Sequence, residues 1–108
     1  MRRKTRGPRS GKASETVSLL KAVADPDRLK IVESLRHGPK NVTQLAQILR
    51  SEIVNVSHHL SVLRRNKIVQ FQKRGRFVQY TLNPALHRVS EKGDVLALGS
   101  CRLEIHGA

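Results

Sequence analysis

The chain has 108 residues, enough for one small domain with tails and too few for two ordinary ones. Its 21 Lys and Arg against 8 Asp and Glu give a formal net charge of +13, which points to a polyanionic partner, nucleic acid before an acidic membrane. No apolar run approaches the roughly 18 residues of a membrane span, no apolar core follows the basic start as a signal peptide requires, and one cysteine, Cys101, builds no internal disulfide framework. The expectation is a cytoplasmic protein with no membrane association.

Residues 1–13 mix Arg, Lys, Gly, Pro and Ser with almost nothing apolar, the composition of a flexible basic arm. Arg2, Arg3, Lys4 and Arg6 are its candidate DNA contacts. The expected body is 14–83, and 84–108 is expected to dock on it or on a second subunit. A first helix is predicted from about Glu15 to Ala24, with Val17, Leu20, Val23 and Ala24 at helical spacing. The second has clear punctuation: Asp25 can N-cap it, Pro26 suits its first position and Gly38-Pro39 closes it. Leu29, Val32 and Leu35, helped by Ile31, form its buried side. Asn41 stands three residues before Gln44, a capping-box spacing, and Val42, Leu45, Ala46 and Leu49 continue as the stripe of a third helix.

Residues 53–65 carry the most information. At about 100° per residue, Ile53, Val56, Leu60 and Leu63 share one stripe. Val54, His58, Ser61 and Arg65 fall opposite, flanked by Asn55 and Ser57. Short hydrogen-bonding groups at one end and cations at the other are what a helix needs to read base edges and anchor on phosphates. Two short helices joined tightly, the second with a reaching polar face, make a helix-turn-helix.

The period then changes from 3.6 to 2. Residues 68–73 and 76–82 are predicted strands, joined by Arg74-Gly75 as a two-residue turn with Gly75 available for positive φ. The tip is a cationic wing carrying Lys73, Arg74 and Arg76, favoured as a phosphate or minor-groove contact. Arg64, Arg65, Lys67, Lys73, Arg74, Arg76 and Arg88 all lie in a span, 53–90, that holds no acidic residue. Beyond Asn83-Pro84 the pattern weakens. Ala85 to Val89 fit a short helix. Ala97 to Ile105 fit a terminal strand, with Ala97, Gly99, Cys101, Leu103 and Ile105 on one side and Ser100, Arg102 and Glu104 on the other.

Asp25-Pro-Asp-Arg-Leu-Lys-Ile-Val32, Leu45-Ala46, Val56-Ser-His-His-Leu-Ser-Val-Leu-Arg64 and Gly75-Arg-Phe-Val-Gln-Tyr-Thr-Leu82 together resemble the ArsR/SmtB family of bacterial winged helix-turn-helix repressors over about residues 17–83. The resemblance implies a fold that is mainly α with a small β-hairpin. It also implies a homodimer on a palindromic operator near a promoter, usually repressing; the C-terminal strand or short helix is expected at the dimer interface because an unpaired strand at a chain end is a natural docking edge. Carried over by position, recognition-helix contacts fall on Asn55, Ser57 and His58, with weaker cases for Ser51 and Val54; wing contacts fall on Lys73, Arg74 and Arg76. His59 lies beside the core stripe and is read as packing or capping against the body. Two turns depart from the family pattern. A usual Gly-Leu-Ser is Arg50-Ser51-Glu52 here, and the usual Gly before the first wing strand is Lys67.

No cofactor and no metal are expected. Asn41-Val42-Thr43 stand where some members of the family carry a Cys-Val-Cys metal site, without the thiolates that a soft metal wants. His87 has no ligand partner at suitable spacing, and His58 and His59, being adjacent, point about 100° apart. Cys101 reads as a redox switch or as a small buried residue of the last strand, and the second is favoured. No nucleophile–base pair, phosphate-cradling Gly loop or carboxylate pair points to an enzyme. The competing function is a non-specific or architectural nucleic-acid-binding protein. Its RNA version is disfavoured because Phe71, Phe77 and Tyr80, the only aromatics, all lie in the wing strands, where at least some should be core.

Overall fold

The computed structural model describes residues 12–106. Helix α1 runs Lys12–Val23 and α2 runs Pro26–Leu35. The start of α2 is fixed by Asp25, whose backbone is extended and whose carboxylate accepts the N–H groups of Asp27 at 2.9 Å and Arg28 at 3.1 Å, satisfying two of the donors that a helix start leaves free. The Arg28 N–H bond, above all, holds the Asp25 carboxyl below its ordinary value against a burial that pushes it up. A two-residue strand β1, Lys40–Asn41, leads into α3, Val42–Leu49, and α4 follows as Ile53–Arg65. The expected capping box closes reciprocally at 2.8 Å in each direction between Asn41 and Gln44. Strands β2, Val69–Arg74, and β3, Phe77–Leu82, form the wing, and β1 joins the free side of β3 in the order β1-β3-β2.

One core unites these elements. Ile31, Val32 and Leu35 of α2, Leu45 and Ala46 of α3, and Val56, Leu60 and Leu63 of α4 are buried together with Ile68, Val69 and Leu82 at the wing root. Leu29, expected beside them, is half-buried. The first helix turns a different face inward than its spacing implied. Thr16, Leu19, Ala22 and Val23 are buried, whereas Val17 is 50% and Leu20 40% exposed. The cause is distant in sequence: Ser100 N–H donates to Thr16 Oγ1 at 2.9 Å, which pulls the Thr16 face against the C-terminal segment.

That segment is a three-stranded antiparallel meander, not a single strand or short helix. Ala85 and Leu86 lie in a turn that Asn83 organises by accepting the Ala85 N–H on its side chain. β4, His87–Ser90, β5, Gly93–Leu98, and β6, Cys101–Ile105, then pair in the order β4-β5-β6. The predicted terminal strand is broken at Gly99-Ser100, with Gly99 at φ +63. A Cβ on Gly99 would collide with Thr16 Oγ1 and stand 3.0 Å from Thr16 Cα, so this turn needs glycine for approach as well as conformation. The reversal shifts the alternation. Leu96 and Leu98 are buried, Ala97 pairs with Arg102, and Leu98 pairs with Cys101. Cys101 shares a face with buried Ile105, yet it is exposed, because it opens β6 beside the turn where the body does not cover it.

A buried polar cluster locks the meander to the body. Arg36, the C-cap of α2, places Nη2 3.3 Å from Asp94 Oδ1, and His87 Nε2 lies 2.6 Å from Asp94 Oδ2. Burial alone pushes the Asp94 carboxyl up; the hydrogen bonds from His87 and Arg36 override it and leave the group below its ordinary value.

Candidate nucleic-acid interface

The turn between α3 and α4 is closed by backbone geometry that glycine normally supplies. Arg50 takes the left-handed conformation at φ 54, ψ 48 as the C-cap of α3, and Ser51 N–H reaches back to Ala46 O at 3.0 Å. Lys67 does the same before the wing, at φ 60. At both departures from the family pattern a residue with a side chain holds the left-handed backbone that glycine adopts readily. Glu52 occupies the N-cap of α4 without a side-chain cap bond and is exposed.

From that turn α4 presents two opposed faces. Val56, Leu60 and Leu63 are 0–1% exposed, seated on the core. Asn55, Ser57, His58, Ser61 and Arg65 are all exposed, and Val54 is 68% exposed, so Val54 fills no gap. Ile53, expected on the buried stripe, is half exposed at the first turn, where it lines a shallow cleft with Thr43, Gln47 and Asn55. Asn55 Nδ2 stands 3.5 Å from Ser51 Oγ.

His59 is tied to the body. Arg28 Nη1 donates to His59 Nδ1 at 3.1 Å, and His59 Nε2 lies 3.5 Å from Asp27 Oδ2. Because a guanidinium only donates, His59 Nδ1 is the acceptor of this contact, and Nε2 faces Asp27. Arg28 Nε also donates to Ala22 O at 2.6 Å, so one side chain links the ends of α1 and α2 to the middle of α4. Asp25, Asp27 and His59 bring three donor atoms within 4.8 Å of one another, the one such grouping among the described residues, and their separation in sequence hid it. Asp25 is occupied in capping α2, and Arg28 sets a positive charge against His59, so the cluster reads as a helix clamp.

The wing carries Lys73, Arg74 and Arg76, all exposed. Its two-residue turn is Gly75-Arg76, one position later than expected, because Arg74 pairs with Phe77; Gly75 supplies the positive φ, at +62. Arg64, which the helical wheel did not single out, lies 4.2 Å from the Phe71 ring centroid and joins the basic end of α4 to the wing root. Tyr80 packs on the core, whereas Phe71 is 39% and Phe77 55% exposed. The arm residues Arg2, Arg3, Lys4 and Arg6 lie outside the described residues.

A helix-turn-helix with an exposed polar second helix and a cationic hairpin is a DNA-reading arrangement. Residues 25–70 match the family described as bacterial regulatory protein, arsR family. The chain is 43% identical over 70 residues to the HTH-type transcriptional regulator NmtR of Mycobacterium tuberculosis, a match covering 65% of this chain and 58% of that protein. It is 40% identical over 70 residues to the transcriptional repressor PagR of Bacillus anthracis, covering 64% and 70%.

The chain belongs to the arsR family.

The fold agrees: HlyU from Vibrio cholerae superposes with a TM-score of 0.65 and 34% identity over 68% of this chain and 80% of that one. As an arsR-family protein the chain is a DNA-binding transcriptional regulator with a winged helix-turn-helix, and its relatives are regulators rather than enzymes. No helix among the described residues is long and apolar enough to cross a membrane.

Proposed function

We propose that this arsR-family chain is a homodimeric, cytoplasmic repressor that recognises a palindromic operator. The observation that carries the reading is α4 itself, a helix whose Val56, Leu60 and Leu63 are buried while Val54, Asn55, Ser57, His58, Ser61 and Arg65 stand out from the body. Asn55, Ser57 and His58 offer donors and acceptors to base edges, Val54 offers an apolar contact to a thymine methyl, and Arg65 anchors on phosphate. Lys73, Arg74 and Arg76 bring the wing to the adjacent backbone or minor groove, and Arg2, Arg3, Lys4 and Arg6 add counterion-releasing contacts from the arm.

Dimerisation is supported by a stripe on α1 that the body leaves uncovered. Ala13, Val17 and Leu20 recur at helical spacing, continued by Ala24 just past the helix end, and all are exposed, an apolar strip on a highly charged chain. Two copies joined there carry two recognition helices, which a two-fold operator with half-sites about one helical turn apart accommodates. PagR is named a repressor, which supports the sign of regulation.

The test is discrimination between a retained genomic duplex and random duplex. Replacing Ser57 and His58 by Ala is expected to narrow the ratio of the two affinities by tenfold or more, at about 1–3 kcal/mol per lost base contact. If both affinities fall equally, α4 does not read sequence.

A further inference from the structure

We propose that Phe77 is an apolar wedge that the wing presents to the minor groove of duplex DNA, seating its ring against deoxyribose and base edges. The proposal rests on the wing reading above and adds a contact that charge alone does not supply. In a strand, successive side chains alternate between faces, and the register assigns them here: Val69 lies opposite Leu82, Phe71 opposite Tyr80 and Lys73 opposite Val78, on the face that packs on the core through Val69, Leu82 and Tyr80 at its root. Gln70 opposite Thr81, Gln72 opposite Gln79 and Arg74 opposite Phe77 form the outer face. That face is polar throughout except for Phe77 at its tip, 55% exposed and without a ring or cation contact among the described residues. A large aromatic placed there does nothing for the core and leaves apolar surface in water.

Its surroundings select the partner. Arg74 lies across the hairpin on the same face and Arg76 is in the turn, with no acidic residue anywhere from 53 to 90. A second copy would bring the same cations to the same place and be repelled, so the complementary partner is a polyanion. A single-strand platform needs several rings on one face, but Phe71 and Tyr80 occupy the other. One apolar ring set among cations at a hairpin tip is the arrangement of a minor-groove wedge.

The test uses the full chain with short A·T-rich and G·C-rich duplexes. Phe77→Ala is expected to lower affinity about tenfold, the size expected when roughly 50 Å² of ring leaves water, with the slope of log affinity against log salt unchanged, because an apolar contact releases no counterions. Arg74→Ala is expected to lower both affinity and slope. The chain contains no Trp, so Phe77→Trp adds a sole indole whose fluorescence is expected to be quenched on binding through contact with bases. Wild-type affinity for Phe77→Ala, or an indole that does not respond to bound duplex, overturns the wedge, while the Arg74→Ala loss leaves the wing reading standing. If Arg74→Ala and Arg76→Ala also bind as wild type, the wing reading itself fails and takes the wedge with it. A fall in solution mass for Phe77→Ala would assign the ring to a contact between copies and likewise overturn the proposal.

Discussion

Replacing Arg50 and Lys67 by Gly should make the protein more stable. Both residues hold left-handed backbone, at φ 54 and φ 60, which costs a residue bearing a Cβ about 1–2 kcal/mol. Glycine removes that cost but returns about 0.5–1 kcal/mol through the greater freedom of its unfolded chain. Each substitution is therefore expected to stabilise by about 0.5–1 kcal/mol. The two turns share no backbone hydrogen-bond partner, so the pair should add to about 1–2 kcal/mol and raise the melting temperature by about 5–10 °C. Urea and thermal melts at one fixed protein concentration provide the assay, since association makes stability concentration-dependent. Arg50→Ala keeps the Cβ and should stay near the parent. Each substitution also removes a cation from a chain of net charge +13, so the more stable double variant should also bind duplex less tightly. Gly variants that melt at or below the parent temperature would refute the reasoning, because the left-handed turns would then carry no strain.

Three further outcomes are expected. Leu20→Glu, on the uncovered α1 stripe, should halve the solution mass towards the 12.1 kDa of one chain and weaken DNA binding; an unchanged mass would move the dimer interface elsewhere. Asp94→Ala removes the carboxylate that the buried Arg36 and His87 side chains meet and should destabilise by about 3 kcal/mol. The folded Asp94 titrates below its unfolded value, so its contribution is fully present above the unfolded value and is lost as pH falls through the lower folded one; stability measured downward from about pH 4 should fall less steeply in Asp94→Ala than in the parent. Arg28→Ala leaves Ala22 O and His59 Nδ1 without their donor and should cost about 1–3 kcal/mol in a urea melt, and a neutral result would mean that the clamp holds nothing.

Sequence reasoning succeeded where the cause is local. The N-cap at Asp25 with Pro26, the Asn41–Gln44 box and the α4 stripe at Val56, Leu60 and Leu63 are each set within a few residues and form as the spacing implies, Ile53 at the first turn of that stripe excepted. It failed where partners are remote. The inward face of α1 is chosen by Thr16 meeting Ser100, 84 positions away, and the meander is latched by Arg36 meeting Asp94, 58 positions away. Gly99 read as one more residue of an alternating strand, and only its left-handed turn shows that the alternation restarts, which is why Ala97 is on the other face and Cys101 opens a new strand, uncovered beside the turn. A one-residue slip in the hairpin turn has a similar consequence. Pairing Arg74 with Phe77 puts that ring beside a cation on the outer face, a site that composition alone would have assigned to the core.

The central claim is sequence-specific recognition by α4, and a genomic selection tests it most directly. Full-length protein would retain fragments of its own genome at about 0.15 M salt, where purely electrostatic binding is weak, alongside the Ser57→Ala, His58→Ala double variant. The account predicts that the parent retains fragments sharing an inverted repeat with half-sites about one helical turn apart, and that the variant loses this enrichment. Retention of fragments with no shared motif, equal for both proteins, would contradict it and leave a non-specific, architectural DNA binder.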